Sequence, residues 1–170
     1  MALTTIDFAR TTSPRPRPDE SQLGFGKYFT DHMATWEHVD GKWGEPQLQP
    51  YAPIPMDPAA GVLHYGQAMF EGLKAFRGED GVVRLFRADA NARRFRDSAA
   101  RLAMPQLPEE TFIESVRGLV NIDRDWFPSV EGGSLYIRPF MFANEVFLGV
   151  KPSSEYLYLV IISPVGGYFK

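Results

Sequence analysis

The stretch SLYIRPFMFA at residues 134–143 predicts a β-strand, and EYLYLVIIS at residues 155–163 predicts a second one. Both are rich in aromatic and β-branched residues, which favour strands. The second stretch carries Leu157, Val160, Ile161 and Ile162, so we expect it to be fully buried.

Two helices are predicted ahead of these strands. Asp89 is a suitable N-cap for a first helix that ends before Pro105, and a second helix begins near Pro108. Glutamates 109 and 110 lie in the first turn of the second helix, where they complement the helix dipole. Each helix has one apolar stripe, formed by Phe95, Ala99, Leu102 and Ala103 in the first and by Phe112, Ile113, Val116, Leu119 and Val120 in the second.

The remaining segments predict hairpins, a short helix and loops. Asp40-Gly41 and Glu79-Asp80-Gly81 are turn sequences between strand-like stretches. Residues 63–73 are apolar at helical spacing, and residues 48–57 contain several prolines and are expected to form an extended loop. Strands, then two helices, then strands is the order typical of an α+β fold. We therefore expect a two-layer domain with a mixed or mainly antiparallel sheet and helices packed on one face.

Composition narrows the class of protein. The chain has 170 residues, a net charge of -3 and no cysteine. This length suits one well-filled domain, and charges of both signs are interspersed, so we expect no nucleic-acid partner. No apolar run of membrane-spanning length or secretory signal is present, and the lack of cysteine fits the reducing cytoplasm. Prolines 14, 16 and 18 alternate with arginines, which predicts a flexible leader over residues 1–24.

Tyr136 and Arg138 are the best candidates for a binding site. Because side chains alternate along a strand, the two lie on one face roughly 6–7 Å apart, and a carboxylate could bridge them. The alternative is an exposed strand face on which an amphipathic tyrosine lies beside an arginine that reaches into solvent. Phe140 and Phe142 continue this face. A face with these four residues is too apolar for simple solvation and favours a lined pocket.

Other candidate sites are weaker. Arg93, Arg94, Arg96 and Arg101 could each bind a phosphate or simply solvate a helix face. His32 and His38 share a strand face but lie roughly 20 Å apart, so no metal site is expected. No glycine-rich nucleotide loop and no nucleophile elbow is present.

Several runs of sequence resemble branched-chain amino acid aminotransferases, which are pyridoxal-phosphate enzymes of fold type IV. The runs lie in the family's order and with similar spacing, from Phe25 to the end of the chain. They are FGKYFTDHM at residues 25–33, LHYGQAMFEGLKAF at residues 63–76, RLFR at residues 84–87, SLYIRP at residues 134–139 and PVGGYF at residues 164–169. D-amino acid aminotransferases and aminodeoxychorismate lyases share this fold but match these runs less well.

The resemblance implies roles for individual residues. Arg94 would contact the phosphate of pyridoxal 5'-phosphate, and Arg138 would receive the side-chain carboxylate of glutamate or 2-oxoglutarate. Leu148, Gly149 and Val150 would reach into the pocket of a partner subunit, which implies a homodimer. The implied wall of the substrate pocket consists of Phe25, Tyr65, Phe70, Tyr136 and Tyr168.

The resemblance also implies a domain organisation. Residues 25–165 would be the small amino-terminal domain, and residues 166–170 would begin a linker. The Schiff-base lysine lies in a second domain beyond Lys170, so this chain would hold no catalytic residue. The implied activity, part of branched-chain amino acid biosynthesis, is transfer of the amino group of leucine, isoleucine or valine to 2-oxoglutarate. Its partners would be small amino acids and 2-oxo acids, with no membrane. The alternatives are another fold type IV aminotransferase or lyase, or a non-catalytic fragment or binding module.

Overall fold

The computed structural model describes residues 7–167, which form a nine-stranded sheet with helices on it. The strands are β1 (Asp7–Phe8), β2 (His32–Val39), β3 (Lys42–Trp43), β4 (Gln47–Pro50), β5 (Ala68–Phe70), β6 (Leu73–Arg77), β7 (Val83–Leu85), β8 (Ser134–Ala143) and β9 (Glu155–Val165). The helices are α1 (Gly61–Tyr65), α2 (Ala88–Arg101) and α3 (Glu109–Ile122), with 3-10 turns at Glu20–Gln22 and Arg124–Trp126.

The sheet is antiparallel apart from one short pair. Its order is β1-β4-β2-β9-β8-β6-β7, with β3 on β2 and β5 on β8, and only β1 and β4 run parallel. The strands β8 and β9 form an antiparallel pair that runs from Ser134 opposite Val165 to Ala143 opposite Tyr156. Asp40 and Gly41 both have positive φ, at 46° and 81°, as a tight hairpin between β2 and β3 requires.

The two faces of β8 and β9 have different coverings. On one face, Ile137 and Met141 pack with Phe95 of α2 and Val116 of α3 in the main core. On the other face, a smaller cluster contains Phe142, Leu157 and Leu159, covered by Ile54, Met56, Val62 and Phe140. Helices α2 and α3 therefore form one layer and the sheet the other. The predicted fold class is confirmed.

Two segment predictions were wrong. Residues 63–73 do not form one helix, because α1 ends at Gly66, which adopts the left-handed conformation with φ 64°. The chain then becomes extended and β5 pairs with β8. The proline-rich segment from residue 48 begins as a strand, since β4 pairs with β2 as far as Pro50, which lies opposite His32.

The ends of α2 also differ from the prediction. The N-cap residue is Arg87, with φ 51°, and Asp89 lies in the first turn. At the other end, Phe95 and Ala99 are buried as expected, but Leu102 and Ala103 are exposed. Ala103 has φ 52° and the Met104 N–H donates to the carbonyl of Ala99, so the chain leaves the helix axis in a Schellman turn before the predicted stripe is complete.

The described part of the 1–24 leader lies against the domain. The Arg15 N–H donates to Asp31 Oδ1 at 2.7 Å, and the Arg17 guanidinium lies 3.8 Å from the centre of the Trp126 ring. The carboxylate of Glu20 accepts the N–H groups of Ser129 and Val130. Residues 15–20 of the leader thus have specific partners in the domain, while its flexibility stays a prediction.

Candidate functional site

Tyr136 and Arg138 lie on the sheet face opposite the long helices and contact each other. Arg138 donates from Nε and Nη2 to Tyr136 Oη, at 3.2 and 2.7 Å. The same guanidinium lies 4.2 Å from the centre of the Phe70 ring, which the pairing of β5 with β8 places beside it. Arg138 is half-buried and has no carboxylate partner anywhere in residues 7–167. A charge held by a phenol and a ring, without a counter-ion, can serve as a receptor for an anion.

Phe25 adds an aromatic wall to this receptor. Its ring centre lies 4.7 Å from that of Tyr136, and both residues line a cavity of about 180 Å³ with Arg138. Gly24 and Gly26, on either side of Phe25, have φ values of 61° and 64°, which favour glycine. The backbone therefore turns sharply on both sides of an exposed ring. The cavity is small, mostly apolar and carries one positive charge.

Sequence reasoning missed Ser163 in this cavity. It is opposite Tyr136 in the sheet and is buried, and its Oγ has no hydrogen-bond partner among the described residues. A single serine in an apolar strand gives no signal in the sequence. Its location follows only from the register between β8 and β9.

Arg94 carries a second partly exposed positive charge, on the exposed side of α2. Its Nε and Nη2 donate to the carboxylate of Glu71, each at 2.8 Å. Asn91 Nδ2 and the Gly72 N–H donate to the same carboxylate, at 2.7 and 3.2 Å. Nη1 of Arg94 makes no bond to the part of the chain that the structure describes. Arg93, by contrast, pairs with Asp89 on the surface.

Glu71 is charged in this arrangement. Burial alone would raise its pKa, but hydrogen bonds from Arg94, Asn91 and Gly72 outweigh that effect, so the pKa lies below the ordinary glutamate value. Glu71 is the second residue that sequence reasoning missed. It directly follows Phe70, and its neighbour Gly72 lies against Tyr136, where a Cβ would overlap the phenol oxygen. Residues 70–72 therefore connect the surroundings of Arg138 with those of Arg94.

Tyr65 and the loop after β8 form a third region. The Tyr65 hydroxyl donates to the carbonyl of Leu148. Within residues 7–167, Tyr65 makes no contact with Arg138. Glu145 holds the loop by accepting from Lys151 Nζ at 2.6 Å and from the Ser154 N–H at 2.7 Å. These bonds lower the pKa of Glu145 to about 2, and the bond from Lys151 has the largest effect. The exposed apolar residues here are Leu63, Tyr65, Val146, Phe147, Leu148 and Val150.

The structure brings together only part of the predicted pocket wall. Phe25 contacts Tyr136, and Arg138 contacts both Tyr136 and Phe70, whereas Tyr65 lies with Leu148 and Gly149. Tyr168 lies outside the described residues. Among residues 7–167 no cluster of side chains could hold a metal ion, and none of the described helices is long and apolar enough to cross a membrane.

A larger cavity, of about 450 Å³, lies elsewhere, between β2 and residues 52–55. Glu37 and Glu45 line it, and no lysine or arginine does. A negatively charged cavity repels phosphate and carboxylate groups, so size alone does not identify the site here.

Comparison with known proteins gives the following relatives. No family model matches the chain. It is 50% identical over 171 residues to branched-chain-amino-acid aminotransferase 2 of Bacillus subtilis, covering 100% of this chain and 47% of the relative. It is 54% identical over 174 residues to the branched-chain-amino-acid aminotransferase of Mycobacterium tuberculosis, covering 98% of this chain and 47% of the relative. The chain thus spans about half the length of these relatives, in their amino-terminal part.

Solved structures agree with the fold. The branched-chain amino acid aminotransferase of Escherichia coli matches with a TM-score of 0.57 and 25% identity, over 82% of this chain and 41% of that one. A T.th. branched-chain amino acid aminotransferase with pyridoxamine 5'-phosphate matches with a TM-score of 0.58 and 26% identity, over 79% of this chain and 41% of that one.

Proposed function

We propose that this chain, which is related along its whole length to branched-chain-amino-acid aminotransferases, is the amino-terminal part of such an enzyme. The complete protein transfers the amino group of leucine, isoleucine or valine to 2-oxoglutarate, with pyridoxal 5'-phosphate as cofactor. Residues 25–165 form the small domain after the 1–24 leader, and residues 166–170 begin a linker to a second domain with the cofactor lysine. The compartment is the cytoplasm, which is compatible with a chain without cysteine.

The observation that carries this proposal is Arg138 without a counter-ion in an aromatic pocket. An enzyme that alternates between leucine and glutamate needs one pocket for an aliphatic chain and for a carboxylate. The rings of Phe25, Phe70 and Tyr136 accept the aliphatic chain and exclude water, while Arg138 offers its remaining N–H groups to the carboxylate. Tyr136 holds the guanidinium at the edge of the pocket. Tyr65 and Tyr168 complete the wall in the assembled enzyme.

The residues present also fit the cofactor. Arg94 is two-thirds exposed and has an unused N–H edge, which suits a phosphate. When bound, pyridoxal phosphate supplies the electron sink that transamination requires. This chain contributes the phosphate anchor, and the exposed apolar residues of the 144–151 loop support a homodimer in which Leu148, Gly149 and Val150 enter the partner's pocket.

The test is Arg138→Gln in the complete enzyme. Single-turnover measurements give the affinity and rate for glutamate and for leucine separately. Loss of a charged pair in a mostly dry pocket costs about 2–5 kcal/mol, so glutamate binding should weaken about 30-fold to several-thousand-fold while leucine binding changes little. Arg84→Gln, on the exposed β6–β7 hairpin, is the matched control. An equal loss for both substrates would mean that Arg138 maintains the pocket's structure and does not select the substrate.

A further inference from the structure

The structure assigns a positioning role to Glu71: we infer that its carboxylate fixes the Arg94 guanidinium so that the free edge faces the cofactor phosphate. This inference rests on the proposed function, because it takes Arg94 as the phosphate anchor. Glu71 itself does not contact the phosphate. It acts through Arg94, and it belongs to neither the predicted pocket wall nor the predicted anchor.

The hydrogen bonds divide the guanidinium into two edges. Nε and Nη2 donate to the two oxygens of Glu71 in a fork-like pair, each at 2.8 Å. That pairing uses one edge of a planar group and leaves Nη1, together with the second hydrogen of Nη2, on the outer edge. A phosphate approaching from solvent therefore meets two N–H groups of fixed direction.

The acceptor is held more firmly than the donor. The Glu71 side chain is only 10% exposed, whereas that of Arg94 is 65% exposed. Asn91 Nδ2 and the Gly72 N–H also donate to Oε2 of this carboxylate. The guanidinium thus extends into solvent from a fixed base. A long arginine side chain that is already ordered loses less conformational entropy when an anion binds.

The neighbouring pair on α2 shows what an ordinary surface pair looks like. Arg93 and Asp89 are 49% and 53% exposed, lie one helical turn apart and share a bond from a single nitrogen. Such pairs contribute little and fix no direction. Asp89→Asn is therefore a matched control for Glu71→Gln: each variant neutralises the carboxylate partner of one of two consecutive arginines.

The experiment compares pyridoxal phosphate with pyridoxal, which lacks the phosphate, in titrations of the complete apoenzyme. At metal sites, loss of a residue that orients a ligand side chain lowers the affinity for the metal about 10-fold to 100-fold. Glu71→Gln should weaken pyridoxal phosphate binding by a factor of this order and leave pyridoxal binding within about twofold, while Asp89→Asn changes neither. In an Arg94→Ala background, Glu71→Gln should cause no further phosphate-specific loss.

Each other outcome overturns the inference. An equal loss for both ligands would make Glu71 a structural residue, and tighter binding of pyridoxal phosphate would show that Glu71 competes with the phosphate for Arg94. If Glu71→Gln does not fold, Asn91→Ala removes one bond from the carboxylate and should cause a smaller loss with the same phosphate dependence. Arg94→Ala without a phosphate-specific loss would instead contradict the proposed anchor itself.

Discussion

Arg94 and Arg138 differ in the partners that surround their positive charge. Arg94 donates to a nearly buried carboxylate, whereas Arg138 contacts, among residues 7–167, a phenol oxygen and two aromatic rings but no carboxylate. The first arrangement fixes direction and partly offsets the charge. The second leaves the charge available in a half-buried pocket, where it attracts a carboxylate more strongly than it would in water. The first arrangement suits the proposed role of Arg94 toward a cofactor that stays bound, and the second suits the proposed role of Arg138 toward substrates that exchange.

Gly72→Ala should impair the proposed substrate pocket through Tyr136. A Cβ at residue 72 would overlap the Tyr136 hydroxyl, so the ring must move and release Arg138. Overpacking of this kind costs about 1–3 kcal/mol, and we expect glutamate binding to weaken more than leucine binding. Single-turnover titrations with both substrates measure the effect. Gly44→Ala is the control, because a Cβ there meets its nearest neighbour at 3.6 Å; similar losses from both variants would contradict the argument.

The sequence predicted the Tyr136 and Arg138 pair because it depends only on the two-residue period of one strand. It could not predict Glu71, whose partner Arg94 is 23 residues away on another element. Ser163 likewise depends on the register of two strands. Local period determines which side chains share a face, but pairing between elements determines which of them meet.

At the scale of elements, the carboxyl end of α2 stores a backbone strain that can be relieved. Ala103 adopts φ 52° in a position that usually holds glycine. Ala103→Gly should therefore raise the free energy of unfolding by about 0.5–1 kcal/mol, since an alanine in this conformation costs roughly 1–2 kcal/mol, partly offset by the greater freedom of glycine in the unfolded chain. Denaturant titration measures the change. Ala100→Gly, inside the same helix, should lower stability by about 0.5–1 kcal/mol, and stabilisation by both variants would refute the explanation.

The loop after β8 should be sensitive to acid through Glu145. Its pKa is lowered from 4.5 to about 2 in the folded chain, mainly by Lys151 and Ser154. A carboxyl group whose pKa is lower in the folded than in the unfolded chain stabilises the fold at pH values above its unfolded-state pKa. This stabilisation is lost as the pH falls from about 4.5 to about 2. Glu145→Gln should therefore lose less stability than the wild type over this range, measured by denaturant titration at each pH. Parallel pH curves would show that the loop does not depend on this charge.

Element boundaries were harder to predict than element types. The strands at residues 134–143 and 155–163 and the helix from Pro108 were predicted nearly as they are, because long periodic stretches dominate their own conformation. Residues 63–73 were wrongly predicted as one helix. Their apolar spacing fits a helix, but the left-handed Gly66 and pairing with β8 impose a short helix and then a strand.

At the scale of the whole molecule, the exposed apolar loop should mediate assembly. Val150 is 89% exposed, and a hydrophobic surface of this kind marks an interface. Val150→Asp in the complete enzyme should weaken the proposed homodimer, because a charge would have to be buried without a partner. Sedimentation equilibrium measures the dissociation constant. Val82→Asp, at the exposed β6–β7 turn, is the control, and unchanged association of the Val150 variant would exclude this loop from the interface.

The leader has a consequence for how the molecule is made. Its Glu20 accepts hydrogen bonds from Ser129, 109 residues further along the chain, and Arg17 packs on Trp126. During synthesis the leader leaves the ribosome well before its docking surface, which emerges about 5–20 s later at ordinary rates of translation. Alternating proline and arginine keep that waiting segment from joining a strand prematurely. Glu20 is thus translated long before the residues that bind it, whereas Arg15 and β1 can contact Asp31 and β4 much sooner.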